Sequence, residues 1–217
     1  MRRLSHHTLL AGLTLLGTAV AVSAEAGGSA RESASLASAY LCLVLLSAAL
    51  SIGPVRALSS GRPTLNSHLR RDIGIWAGLN GLAHVWLGTL VSMNAGYVTA
   101  FVKTAAAPPS AGVRNWLFSV GAVAGYIVGV LLLLLLALSS DRALRRLGAP
   151  RWKRLQRASY LALALTGLHG LAFQVLETRG ASLIVLLAAL PLGVLALHIA
   201  ARRAVIEARR EGRSLSA

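Results

Sequence analysis

Three histidines lie inside long apolar stretches of the sequence, and they are the residues best able to do chemistry. His84, His169 and His198 are surrounded mainly by Leu, Ala, Val and Gly, whereas the other three histidines lie beside charged segments and are expected at the inner surface. A polar ring in hydrocarbon is costly unless it finds a partner, so each of the three is a candidate functional residue. Neutral imidazoles bind metal ions through one ring nitrogen, which makes metal-centred chemistry the first possibility.

Six apolar segments that would position these residues approach or meet the length of a membrane-spanning helix. Of the 217 residues, 55% are hydrophobic and 13% are charged, which is outside the balance of a water-soluble domain. The sequence predicts an all-α, polytopic six-helix transmembrane bundle that forms a single domain over residues 1–217. The spans are predicted at residues 7–24, 35–58, 72–93, 115–139, 156–176 and 182–201.

Positive charge is distributed unevenly over the connections between these spans. The net charge is +15, and most Arg and Lys residues precede the first span, follow the last, or lie in the second or fourth loop. The remaining loops hold only Arg31, Lys103, Arg114 and Arg179. Because positively charged loops stay in the cytoplasm, both termini are predicted to be cytoplasmic and the protein to reside in the cell membrane. The basic residues form no recognition motif, so nucleic acid is not an expected partner.

The first apolar segment has two interpretations. Arg2 and Arg3, a Leu-rich stretch and the Ala-Val-Ser-Ala run at residues 21–24 match a cleaved secretory signal. A retained first helix is the other interpretation, because a further hydrophobic span follows almost at once. The remaining five helices keep their orientation in both cases.

His84 and His169 are expected at the same depth in the membrane. The third helix begins near Asp72 and the fifth near Gln156, both run outward, and the histidines follow after twelve and thirteen residues. At 1.5 Å per residue, both lie about 18 to 20 Å from the inner boundary. Two imidazoles at one depth on separate helices can clamp a flat macrocycle, and heme b with two histidine ligands is such a group.

Small residues share the helix faces of these two histidines. Gly81 and Gly88 lie three and four residues from His84, and Thr166 lies three from His169. Small residues let a macrocycle or another helix approach, and Thr166 is a candidate hydrogen-bond partner for a ligating imidazole. The same pattern is typical of packing histidines that hydrogen-bond between helices. The residues alone leave both interpretations open.

The remaining polar features narrow the chemistry further. His198 lies near the inner end of the sixth span, at another depth, and is interpreted as an interfacial or carbonyl-bonded residue rather than a ligand. Cys42 is the single cysteine, so disulfides within the chain and thiolate metal clusters are excluded. The sequence carries no Gly-rich phosphate loop, so flavin or nicotinamide chemistry must come from a partner.

Two stretches of the sequence resemble a known family. Residues 69–91, LRRDIGIWAGLNGLAHVWLGTLV, and residues 151–177, RWKRLQRASYLALALTGLHGLAFQVLE, are similar to the third and fifth helices of the ferric reductase-like transmembrane domain family. Within it, the two stretches resemble the heme-binding membrane subunits of bacterial periplasmic methionine sulfoxide reductase systems. The resemblance implies a membrane b-type cytochrome that relays electrons, with His84 and His169 as axial ligands of the heme iron.

The resemblance is incomplete at the inner end of the fifth helix. Family members commonly have a further histidine there, in a Trp-x-x-Leu-His-Arg run, where this sequence has Gln156. Arg70 and Arg71 stand where a second histidine would precede His84. One heme b is therefore expected, and a second, inner heme lacks its usual ligands.

A single heme beyond the midplane implies partners on both sides of the bilayer. The expected electron donor is a membrane quinol or a flavin reductase, and the expected acceptor is a redox protein at the outer face. The chain would then be an electron-transfer subunit of an oxidoreductase system rather than a complete enzyme. The alternative is a non-redox six-helix membrane protein, such as a small transporter or an assembly factor, whose histidines serve packing alone.

Overall fold

The computed structural model describes residues 2–24, 29–59, 67–94, 112–176 and 181–210. Within these ranges nearly every residue is helical, which confirms the predicted all-α class. The helices of this part of the chain are α1 (Arg2–Ala24), α2 (Ala30–Leu58), α3 (Ser67–Asn94), α4 (Val113–Leu138), α5 (Asp141–Gln156), α6 (Ala158–Leu176) and α7 (Ala181–Arg210).

Among the residues that the structure describes, five helical stretches are long and apolar enough to cross a membrane, so the chain is a multi-pass membrane protein. These stretches belong to α1, α2, α4, α6 with the preceding α5, and α7. The other predicted span, α3, has 28 residues but is less apolar, because it carries Asn80, His84 and four glycines. All six predicted spans coincide with observed helices, and α7 continues beyond the predicted end at residue 201.

The segment that joins the fourth and fifth predicted spans is itself a helix, α5, which the search for apolar spans did not predict. The Ser140 side chain caps its start by accepting a hydrogen bond of 3.1 Å from the Ala143 amide. Gly148, at φ 70°, interrupts the helix and divides it into two short helical pieces. Hydropathy does not predict α5, because its many cations lower the mean hydropathy far below that of a membrane span.

The most buried helix, α2, organises the apolar core. Leu43 and Leu50 are among its most deeply buried side chains. They belong to one cluster with Ala77 of α3, Ala162 of α6 and Val194 of α7. Alanines at these contacts let the helices approach closely, as is usual in membrane bundles, where packing rather than hydrophobicity drives helix association.

A buried polar cluster joins α1 to α3 at one end of the bundle. The carboxylate of Asp72 is fully buried, with its oxygens 3.1 Å from His6 Nδ1 and 3.5 Å from His7 Nε2. The Trp76 indole donates a 3.1 Å hydrogen bond to His7 Nδ1, so His7 Nε2 carries the hydrogen that faces Asp72. The His6 and His7 side chains remain 27% and 36% exposed, and the expectation that they lie at the inner surface of the membrane stays a prediction. These contacts pack the start of α1 against α3.

Replacement of Asp72 by Ala is expected to destabilise the protein by about 1.5–3 kcal/mol, because buried hydrogen bonds to a charged group are lost. Thermal unfolding in detergent measures the effect. Asp141→Ala is the matched control: this carboxylate pairs with Arg71 but is 57% exposed, so its loss is expected to cost at most about 1 kcal/mol. Equal destabilisation by the two changes would contradict the importance of the buried cluster.

Candidate functional site

The structure brings the partly buried rings of His84 and His169 together. Their ring centroids are 5.9 Å apart, and the ring planes are inclined at 68°. His84 comes from α3 and His169 from α6, and α4 packs against both helices. The two histidines that residue spacing predicts at one depth thus have neighbouring rings.

Each ring has its Nδ1 atom within hydrogen-bond distance of a backbone carbonyl. His169 Nδ1 lies 2.8 Å from the Gly121 oxygen of α4. His84 Nδ1 lies 2.8 Å from the Ser35 oxygen of α2. A carbonyl oxygen only accepts, so in both bonds Nδ1 carries the hydrogen and donates it. In this tautomer the lone pair of each neutral imidazole lies on Nε2, the nitrogen through which such a ring would bind a metal ion.

A small network of serines in α2 surrounds the His84 hydrogen bond. The Ser35 hydroxyl lies 3.0 Å from the same Nδ1 atom. The Ser38 hydroxyl donates a 2.7 Å hydrogen bond to the Ser35 carbonyl. Both serines are buried, so this carbonyl serves as a shared acceptor in a place that water does not reach. Ser35 cannot be recognised from the sequence, since nothing in its spacing relates it to a histidine on another helix.

Glycines in α4 let the His169 ring lie directly against the helix backbone. A Cβ atom added at Gly125 would lie 2.6 Å from His169 Nδ1, and one at Gly121 would lie 3.0 Å from the Phe173 ring. Gly121, Gly125 and Gly129 recur every four residues, which places them on one face of α4. This Gly-x-x-x-Gly pattern is the sequence signal that points to the α4 side of the site.

The glycines Gly81 and Gly88 of α3 face atoms of neighbouring helices rather than open space. The side chains of Leu132 and Cys42 occupy the position where a Cβ of Gly81 would lie. A Cβ at Gly88 would lie 3.5 Å from the Ser35 hydroxyl oxygen and 3.9 Å from His84. Gly81 thus allows a neighbouring helix to approach, which is one of the two uses expected of these small residues.

Two further residues named from the sequence take different roles. The Thr166 hydroxyl donates a 2.8 Å hydrogen bond to the Ala162 carbonyl of its own helix, so the expectation that it supports His169 is wrong and Gly121 does so. His198 has its ring 5.0 Å from Tyr160, centroid to centroid, and its Nε2 atom is buried with no hydrogen-bond partner among the described residues. The carbonyl-bonded interpretation of His198 stays a prediction.

The distance between the two ring centroids, taken alone, can be compared with that of two imidazoles bound to one metal ion. An imidazole nitrogen binds a first-row metal ion at about 2 Å, so two imidazoles on opposite sides of one ion have ring centres roughly 6 Å apart. The observed 5.9 Å agrees with this distance. Within the residues that the structure describes, no group of three or more His, Cys, Asp or Glu side chains could hold a metal ion. The two imidazoles could therefore bind a metal ion only together with a macrocycle that supplies its other ligands.

Comparison of the sequence with profiles of known protein families gives no match. Comparison with curated proteins gives none either. The resemblance to the ferric reductase-like family therefore rests on the two sequence stretches that carry it and stays a prediction.

Replacement of Gly125 by Ala is expected to push the His169 ring off the α4 backbone and to destabilise the protein by about 1–3 kcal/mol through overpacking. The measurement is thermal unfolding in detergent. Gly74→Ala in α3 is the control, since an added Cβ there meets no atom within 4 Å; it is expected to stabilise by about 0.5–1 kcal/mol. A Gly125→Ala protein as stable as the Gly74→Ala protein would contradict the close approach of His169 to α4.

Proposed function

We propose that this protein is a membrane b-type cytochrome that holds one heme b between His84 and His169. The observation that carries the proposal is the pair of imidazoles with centres 5.9 Å apart, each with Nδ1 hydrogen-bonded to a backbone carbonyl. A metal-ligating histidine almost always donates its other ring hydrogen to such an acceptor. When bound, the heme supplies one-electron redox chemistry.

The protein side chains and backbone would orient the ligands and set their basicity. The carbonyls of Gly121 and Ser35 hold the two rings in one tautomer, and a hydrogen bond from Nδ1 makes Nε2 a stronger donor. Phe173 packs against the His169 ring at a centroid distance of 5.0 Å. Apolar packing of this kind excludes water and keeps the local dielectric low, both of which tune a redox potential.

The proposal includes six membrane spans, of which α3 is the one added to the five apolar stretches. It places both termini on the cytoplasmic side of the cell membrane. The distribution of Arg and Lys over the loops supports this orientation. Electrons would come from a membrane quinol or a separate flavin reductase and would pass to a redox protein at the outer face. The chain is then an electron-transfer subunit of an oxidoreductase system, with the bilayer as its constant partner.

A non-redox six-helix protein is the second candidate, and one observation favours it. Leu132 and Cys42 fill the space over Gly81 on the side of α3 that faces α2 and α4, and the carbonyl bonds of His84 and His169 are equally the bonds that packing histidines need. In this candidate, the two imidazoles link helices and bind no iron.

A reduced-minus-oxidised visible spectrum of the detergent-purified protein, expressed with ample heme, separates the two candidates. The wild type is expected to show a low-spin b-type spectrum with one heme per polypeptide. His84→Ala and His169→Ala are each expected to lose the low-spin spectrum, because each removes an axial ligand. His198→Ala is the matched control and is expected to keep it.

Two outcomes would contradict the cytochrome proposal. A wild-type protein that is folded, purified from heme-replete cells and colourless would favour the non-redox candidate. A low-spin spectrum that survives in the folded His84→Ala and His169→Ala variants would show that other residues bind the iron.

A further inference from the structure

Helix α5 combines a high positive charge with exposed apolar side chains. Six of its 16 residues are Arg or Lys, and all six are exposed. Its one acidic residue, Asp141, is already paired with Arg71 of α3. The cations of α5 are therefore left to interact with something outside the described part of the chain.

The first half of α5 separates charge from apolar surface. Arg142, Arg145 and Arg146 lie at positions i, i+3 and i+4, and therefore share one helix face. Leu144 and Leu147 lie on the opposite face, and Leu144 is 36% exposed. An apolar face beside a cationic one is the pattern of a helix that lies at a lipid–water interface.

The second half of α5, after Gly148, is held at the end of a membrane-spanning helix. The Trp152 indole donates a 2.7 Å hydrogen bond to the carbonyl of Leu138, the last residue of α4. Indole rings favour the boundary between hydrocarbon and headgroups. On the same side as Trp152, Leu155 is 46% exposed, while Lys153 and Arg154 point away from it along the other face.

We propose that α5 lies in the plane of the membrane and binds the phosphates of anionic lipid headgroups. Its arginines would pair with phosphate oxygens, for which the guanidinium fork is suited, and Leu144 and Leu155 would enter the acyl boundary. An acidic protein partner would leave these leucines in water, so the lipid surface fits better. Continuity supports it too, because α4 ends at Leu138 and α6 begins at Ala158, which leaves α5 directly between membrane-embedded helices. The proposal does not depend on heme.

Native mass spectrometry of the detergent-purified full chain tests the proposal. The protein is mixed with equal amounts of phosphatidylglycerol and phosphatidylcholine, and the retained lipids are counted. The Arg145→Gln/Arg146→Gln double variant is compared with Arg202→Gln/Arg203→Gln, an adjacent pair in α7 that is also exposed. The wild type is expected to retain phosphatidylglycerol preferentially, and the α5 variant to lose about tenfold or more of that preference. The α7 variant is expected to keep most of it.

A further arm distinguishes lipid from free phosphate. Inorganic phosphate at the ionic strength of a chloride control should leave the bound phosphatidylglycerol in place, whereas selective displacement by phosphate would overturn the assignment to lipid. No preference for phosphatidylglycerol in the wild type, as expected of a surface made for an acidic protein, would overturn it as well. Equal losses in the two double variants would also overturn the specific role of α5.

Discussion

An imidazole in the interior of an apolar helix bundle needs a hydrogen-bond acceptor, and in this protein helix backbones provide it. A helical carbonyl already accepts one bond from the amide four residues later, and its second lone pair can accept another where a small residue at that position leaves room. Position 125, four residues after Gly121, is Gly, and position 39, four residues after Ser35, is Ala. The Gly121 carbonyl is thus uncovered where the His169 ring approaches it at 2.8 Å. The Ser35 carbonyl accepts from the Ser38 hydroxyl at 2.7 Å as well as from His84 at 2.8 Å.

This requirement dictates how the helices around the site pack. His169 reaches Gly121 only if α6 lies close against the glycine face of α4, and His84 reaches Ser35 only if α3 lies against the serine-containing face of α2. The register of α3 is held at its other end, where Asp72 is buried between His6 and His7. One polar cluster thus fixes the axial position of the helix, and the other uses that position to bring His84 to His169.

Sequence reasoning reaches the helices and the histidine pair, because both follow from regular geometry. Apolar length fixes the spans, and a rise of 1.5 Å per residue places His84 and His169 at one depth. It does not reach the partners of those rings, since the rotation of each helix about its axis depends on packing among all of them. Asp72 marks a similar limit: beside Arg70 and Arg71 it reads as part of a solvated charged run, yet contacts from α1 bury it completely. The helix α5 was not predicted, because hydropathy alone does not indicate amphipathic helices at the membrane surface.

Electron paramagnetic resonance of the frozen, oxidised protein tests the central claim most directly, since it reports the axial ligands of ferric heme and their mutual orientation. Two imidazole ligands give a low-spin ferric signal, and ring planes as steeply inclined as 68° give it large anisotropy. The account predicts such a signal from one heme per polypeptide, lost when either His84 or His169 is replaced. A high-spin ferric signal in the folded, heme-loaded wild type would contradict it, because the iron would then lack one of the two proposed imidazoles.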